Sequence, residues 1–266
     1  MTKIFTLVNQ KGGVGKTTLC VNMAYYFAVI RSYRTLVIDT DAQGNAGKRL
    51  GCANGNDLMR ILSKDRTEPV TDLVYKGARE NLDVIRSDRR TKDFKEVVVG
   101  YSLRDFIIGR MIQKFENYYD LVFIDCAPST DTLTQAAIYA ADYLLIPSKL
   151  DQDSFDGIRT LLQTLEGDDY KQYSSCQVGG IIPTFYETST NESRLQKMNF
   201  EETYPVFMLP HIPTDTMIRE NYRVGKTMFE YDPTARSVVG IKEKWNGYRG
   251  GFVELGEVIE DRFIKD

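Results

Sequence analysis

Histidine is almost missing from the chain: the single His211 in 266 residues excludes a histidine-rich metal centre. Cysteine is sparse and scattered, with Cys20, Cys52, Cys126 and Cys176 far apart and no C-x-x-C pair. That pattern argues for reduced thiols in a cytosol and against a disulfide frame. There is no basic surplus, since 34 lysines and arginines face 37 acidic residues for a net charge of −3. Any nucleic-acid contact must therefore come from a local patch. No apolar run reaches membrane-spanning length and the N-terminus enters a strand at once, so neither membrane insertion nor secretion is expected. Linkers rich in Pro, Ser or Gly are lacking too, as are charge blocks and repeats, and the expectation is one domain over residues 1–266.

What the chain does contain is a strand, a glycine loop and a helix in immediate succession. Ile4 to Val8 is β-rich; Asn9-Gln10-Lys11-Gly12-Gly13-Val14-Gly15-Lys16-Thr17-Thr18 follows; then Leu19, Val21, Met23, Ala24, Phe27 and Ala28 make an apolar helix. Such a loop turns backbone N–H groups inward as an anion nest, and the helix adds its positive end. Lys16 is placed to reach terminal phosphates and Thr17 to offer a hydroxyl to Mg²⁺. The usual spacing asks for glycine five residues before Gly15, where this chain has Gln10, and a second lysine, Lys11, opens the loop.

Further strands are expected at 35–38, 82–85, 121–125, 143–146 (closed by Pro147), 178–182 and 206–209. Helices are expected near 57–63, at 103–115 with Ser102 as N-cap, and at 132–141, 154–165 and 188–198; 87–95 reads as a charged loop. Alternation of this kind implies an α/β fold with a mainly parallel, twisted sheet and helices on both faces. The second strand delivers Asp39 and Asp41 to its C-terminal end, the edge where open α/β sheets bind ligands. The run Leu121-Val122-Phe123-Ile124 ends in Asp125, which fits a Walker B carboxylate holding Mg²⁺ with Thr17. Cys126 beside it reads as a small buried thiol.

Three blocks, Lys11-Gly12-Gly13-Val14-Gly15-Lys16-Thr17-Thr18, Ile38-Asp39-Thr40-Asp41-Ala42-Gln43-Gly44-Asn45 and Phe123-Ile124-Asp125-Cys126-Ala127-Pro128-Ser129, resemble the deviant Walker A P-loop ATPases of the ParA/MinD family. The likeness continues into residues 225–233. It implies a Mg²⁺-dependent ATP hydrolase, slow and partner-stimulated, whose ATP-bound form is a homodimer. Lys11 is then the signature lysine that reaches the neighbour's phosphates, while Lys16 and Thr17 serve the phosphates and Mg²⁺ in cis. Gly12, Gly13, Val14, Gly15 and Thr18 complete the cradle. Asp41 orients the attacking water, though a helix N-cap or a place around Mg²⁺ is open to it as well, and Asp39 belongs to the Mg²⁺ shell. By position in the family, Pro183, Thr184 and the Ile212-Pro213 turn face the adenine. Ala42 stands where the family commonly has proline.

Residues 219–249 carry Arg219, Arg223, Lys226, Arg236, Lys242, Lys244 and Arg249 against Glu220, Glu230, Asp232 and Glu243, with Tyr222, Trp245 and Tyr248 between them. The resemblance implies non-specific DNA binding, here by Arg219, Arg223, Lys226, Lys242 and Lys244. The match is imperfect: Tyr186 to Thr190 lacks an arginine many relatives carry, and Met217 stands at another such position. In the C-terminal segment Leu255, Val258, Ile259 and Phe263 share a helical face, but Glu254, Glu257, Glu260 and Asp261 surround it, which suits docking on the protein and not a basic membrane anchor. The expected function is thus a short-form ParA-type ATPase, with no DNA-binding domain before the loop. It would position a plasmid, chromosome region or protein body such as a carboxysome over the nucleoid through a ParB-like or other adaptor. A MinD-like division-site ATPase and a metabolic enzyme of the cobyrinic acid a,c-diamide synthase type are the alternatives.

Overall fold

In the computed structural model, which describes residues 1–63, 67–115, 117–187, 191–243 and 247–265, the apolar runs line up as one eight-stranded sheet. The strands are β1 (Lys3–Leu7), β2 (Thr35–Asp39), β3 (Tyr75–Arg79), β4 (Leu82–Ile85), β5 (Leu121–Asp125), β6 (Tyr143–Lys149), β7 (Gln177–Tyr186) and β8 (Ile212–Pro213). Their order is β3-β4-β2-β5-β1-β6-β7-β8, and every pair is parallel except β3–β4. The central strands are apolar on both faces because helices cover both, as a parallel sheet requires.

On one face, Phe123 of β5 stacks on Phe5 of β1 and on Phe27, at 5.3 and 5.8 Å between ring centres. Phe27 lies in the π-helical turn Tyr26–Ile30 that extends helix Lys16–Tyr25. Helix Gly251–Ile259 closes this face with Phe252, Leu255 and Ile259 fully buried, and Phe263 beyond it sits 4.6 Å from the Tyr143 ring. The acidic C-terminal segment therefore docks on its own sheet. On the other face, Leu36, Ile38, Val122 and Ile124 meet helices Ile107–Ile112 and Thr132–Ala140. Each such fully buried side chain contributes about 1.5–3 kcal/mol.

The departures from the sequence reading have local causes. Pro147 does not end its strand: β6 pairs with β1 only up to Leu145, so beyond it the missing N–H falls where one neighbour has already left. Residues 206–209 form a single bridge, Ile181 with Met208, because Pro205 and Pro210 bracket them. The chain there passes so close to Gly180 that a Cβ would meet the Phe207 carbonyl and the Leu209 side chain at 2.6 Å. Ser102 caps nothing; Leu103 takes the N-cap place at φ 59°, and a 3-10 turn, Arg104–Phe106, starts the helix. The charged stretch after Ser87 turns into helix Arg90–Val99, which buries Thr91, Phe94 and Val98 on one side. The 154–165 helix begins earlier, at Gln152–Glu166, capped by Asp151 through the Ser154 N–H at 2.9 Å. The helix expected at 188–198 is Asn191–Thr203, and residues 188–190 lie outside the described residues.

Candidate functional site

Because β1, β2 and β5 are adjacent and in register, their C-terminal ends meet at one point. Leu7 pairs with Asp125 and Asp39 pairs with Asp125, so two carboxylates stand side by side beneath the loop that leaves β1. Both are fully buried. Two like charges in a dry site cannot both ionise cheaply. Burial, reinforced by Asp125, holds Asp39 well above the usual carboxylate range. Asp125 is raised to about 7, again chiefly by burial, with Thr17 and the Lys16 cation tempering the shift.

The two acids are nevertheless used differently. Asp39 accepts from the Asp41 N–H at 3.0 Å and from the Ala46 N–H at 2.9 Å, which ties the 40–46 loop to the sheet. Neither oxygen of Asp125 receives a hydrogen bond of good geometry. Unpaired buried carboxylate oxygens of this kind call for a cation or its water, and Thr17 is at hand to share it. Asp41 accepts from the Gln43 N–H at 2.9 Å in a tight turn; the next helix, Asn45–Arg49, is capped by Gly44, so Asp41 is no helix cap. Cys126 is buried, its thiol pushed up to about 12 by burial and by Asp125, which makes it inert as a nucleophile.

Within the loop, Gly13 and Gly15 sit at φ 70° and 91°, left-handed values that glycine takes without a Cβ clash. Asn9 is the internal strut: its side chain donates to the Pro147 carbonyl at 2.8 Å and accepts from the Lys11 N–H at 2.8 Å. Lys16 folds back, its ammonium 2.7 Å from the Asn9 carbonyl and 3.1 Å from that of Lys11, and burial lowers its pKa. Those carbonyls occupy the cation where phosphate oxygens would otherwise sit. Lys11 is engaged by two acids at the start of helix Gln152–Glu166. Its ammonium lies 2.8 Å from both oxygens of Asp151 and 3.5 Å from Asp153, and the bond to Asp151 leads the causes that raise its pKa.

Beside the loop a cavity of about 30 Å³ is lined by Gly15, Thr18, Thr184, Phe185, Pro213 and Ile218, among others. Thr184 and Pro213, which the sequence reading turned toward the adenine, line this cavity, and Thr184 donates to the Val14 carbonyl at 2.9 Å. Pro183 is buried within β7, paired with Ser148, and does not line the cavity. A larger cavity, about 740 Å³, opens on the other side of Asn9 and Gln10, between helices Thr132–Ala140 and Gln152–Glu166.

The basic residues divide between two elements. Arg219 and Arg223 are exposed on helix Ile218–Arg223 and Lys226 follows it, whereas Lys242 is on the short antiparallel ribbon of Ile241–Glu243 and Gly247–Arg249. Lys244 and Trp245 lie outside the described residues. Tyr222 does not face outward with its neighbours: the Arg49 guanidinium lies 4.6 Å over its ring and its hydroxyl donates to Asn45 at 3.4 Å. Among the described residues no helix is long and apolar enough to cross a membrane. Sequence reasoning missed Asn9, Asp151 and Phe185. An Asp two residues past a Pro-Ser-Lys strand end could have flagged a helix cap at Asp151, but nothing local ties it to Lys11.

A family model described as "AAA domain" matches residues 2–174. The sporulation initiation inhibitor protein Soj of Bacillus subtilis is 30% identical over 244 residues, 89% of this chain and 94% of that protein. The chromosome partitioning protein ParA of Myxococcus xanthus is 31% identical over 86% of this chain and 82% of its own length. Among solved structures, a variant of McdA from Cyanothece in complex with ATP superposes over 100% of this chain and 98% of its own with a TM-score of 0.80; at 23% identity it shows the shared fold alone.

Proposed function

This chain belongs to the ParA/MinD family of P-loop ATPases, and we propose that it is a ParA-type positioning ATPase whose single domain, residues 1–266, hydrolyses ATP with Mg²⁺. The observation that carries the reading is Asp125, a fully buried carboxylate set below the phosphate loop with the Thr17 hydroxyl beside it and, among the described residues, no hydrogen bond of good geometry to either oxygen. Asp125 and Thr17 would hold Mg²⁺ there, with Asp39 behind them keeping the 40–46 loop in place. When bound, Mg²⁺ would supply charge neutralisation for the phosphates.

The chain's own residues do the rest. Lys16 leaves the carbonyls of Asn9 and Lys11 for the terminal phosphates, and the N–H groups of 12–18 cradle them. Asp41, whose charge both Lys16 and Asp125 already feel, accepts a hydrogen bond from the attacking water and orients it. Lys11 leaves Asp151 and places its ammonium on the phosphates of a second subunit, so that ATP binding and dimerisation support each other. The dimer gathers Arg219, Arg223, Lys226, Lys242 and Lys244 for backbone-dominated DNA binding, and an adaptor of the ParB type, or another cargo-bound protein, stimulates hydrolysis. Cargo is then spaced over the nucleoid from the cytoplasm. Similarity to Soj and to the Myxococcus ParA over most of their length supports this branch.

The test is ATP turnover and sedimentation with and without non-specific DNA. Native protein is expected to dimerise with ATP and be retained on DNA at low salt; Lys11→Ala should lose the dimer, and Asp41→Ala should trap it with turnover abolished. A Lys11→Ala protein that dimerises and turns over normally refutes the trans role. Binding to anionic liposomes with indifference to DNA moves the reading to the division-site alternative.

A further inference from the structure

Arginines that enter this fold are held by acids: Arg79 grips Glu230 at 2.6 Å, and Arg86 grips Asp57 at 2.7 Å. Arg49 differs. It ends helix Asn45–Arg49, it is half-buried, and among the described residues its guanidinium makes no hydrogen bond and no ion pair. Its Nε is buried without a partner. What it meets is a ring, with the guanidinium 4.6 Å over the centre of Tyr222. Cation–π attraction is a weaker hold on a desolvated cation than a charge-assisted fork onto an anion, so this charge is left short of a partner.

The contacts around Arg49 fix which way it faces. Helical side chains lean toward the helix N-terminus, and here that end leads back to the 40–46 loop. The Tyr222 hydroxyl reaches Asn45, the first residue of the same helix, at 3.4 Å, and the Ala46 N–H donates to Asp39 at 2.9 Å. Asp39 stands in register with Asp125. The guanidinium therefore borders the two buried acids, near enough that the Asp125 charge opposes the lowering of its pKa by burial. The backbone behind it is clamped: Arg79 donates to the carbonyls of Leu50 and Gly225, both at 2.9 Å, and a Cβ on Gly225 would lie 2.7 Å from Gly51 Cα. Any movement of Arg49 belongs to its side chain.

We infer that Arg49 is a cis cation for the phosphates of the bound nucleotide, its guanidinium leaving the Tyr222 ring to fork onto phosphate oxygens beside Asp125. The inference rests on the nucleotide reading above and adds Arg49 to Lys16 and Lys11. Tyr222 is then the resting place of a charge whose partner arrives with the ligand, the part that two loop carbonyls play for Lys16. Arginine suits the task because it stays charged when desolvated and its planar fork takes two oxygens at once.

Calorimetric titration of the full chain with Mg-ATP and, separately, with Mg-tripolyphosphate tests it. Arg49→Met keeps a flexible side chain against Tyr222 and removes the fork; both ligands should bind about 10- to 150-fold more weakly. Ligand-free Arg49→Met should melt no lower than native protein, because the charge it loses had no anion there. Arg49→Gln, neutral and polar, should lose as much affinity, so the test stands on either variant, and Arg49→Lys should recover part of it as a point charge. Tyr222→Leu empties the resting place and should bind both ligands at least as tightly as native protein. Unchanged affinity in Arg49→Met or Arg49→Gln overturns the inference. Equal weakening in Arg49→Met and Tyr222→Leu also overturns it, since Arg49 would then be a strut for helix Ile218–Arg223. Native protein that binds neither ligand overturns the nucleotide reading itself.

Discussion

Replacing Asp151 by asparagine should make the proposed ATP-dependent dimer form more readily. Asp151 does two separable jobs: one oxygen caps helix Gln152–Glu166 through the Ser154 N–H, and both oxygens hold the Lys11 ammonium at 2.8 Å. Asparagine is as good an N-cap as aspartate, so Asp151→Asn keeps the helix and removes the charge. The Lys11–Asp151 pair is partly solvated, its side chains 31% and 42% exposed. Its net worth is therefore about 0.2–1 kcal/mol and not the several kcal/mol of a dry pair. A dimer has to release two such lysines, so the association constant should rise by about 2- to 30-fold. The gain should shrink as salt is raised, because an exposed pair is screened. Sedimentation velocity with a non-hydrolysable ATP analogue across a protein concentration series measures it. Asp153, at 3.5 Å, remains as a weaker partner and bounds the effect from above. If Asp151→Asn dimerises less than native protein while its melting temperature is unchanged, Asp151 serves the dimer directly and the latch reasoning fails.

Acid sensitivity should trace in part to His211. Its imidazole is buried, Nε2 has no hydrogen-bond partner among the described residues, and burial with the Lys197 charge lowers its pKa to about 4. The unfolded state then binds the extra proton first, so stability present at pH 7 is lost as pH falls from about 6.5 toward 4. Between pH 7 and 5 the loss from this one group is about 2 kcal/mol, and His211→Phe, which keeps the ring against Tyr186, should flatten that part of a stability–pH profile; an unaltered slope rules His211 out. For DNA, replacing Arg219, Arg223 and Lys226 together by alanine should reduce the slope of log affinity against log salt by roughly 2–3, close to 0.9 for each phosphate left without its cation. Turnover without DNA should not change. A slope that stays put assigns DNA binding to other cations.

Much of the site was legible because its signals are local. The glycine loop, β2 ending at Asp39 and β5 ending at Asp125 are each a contiguous run, and parallel pairing brings their ends together without further instruction. The docked C-terminal helix was legible for the same reason, as an apolar stripe with acidic flanks. What stayed hidden depends on contacts between distant segments. The Lys11–Asp151 pair joins residues 140 apart, and the exposed Phe185 owes its position to a register slip between β7 and β8 that no alternation pattern encodes. Residues 206–209 show the opposite failure, a convincing strand pattern defeated by two prolines and by the closeness of Gly180.

Taken together, these contacts explain how a site made for a tetra-anion and a divalent cation stays folded in the chain by itself. Lys16 is met by two loop carbonyls, Lys11 by Asp151, and Asp39 by two main-chain N–H groups. Each partner is one that phosphate, a second subunit or a loop movement can replace. Asp125 has the Thr17 hydroxyl beside it but, among the described residues, no main-chain donor, and burial raises its pKa. Leaving it so concentrates the site's unmet demand at one carboxylate, where a cation arriving with the nucleotide gains most. Substituting that carboxylate would cost the site its metal while sparing the fold, whereas substituting Asp39 would release the 40–46 loop and with it Asp41. The two acids share a register position and a pKa direction; what separates them is which has been given hydrogen bonds.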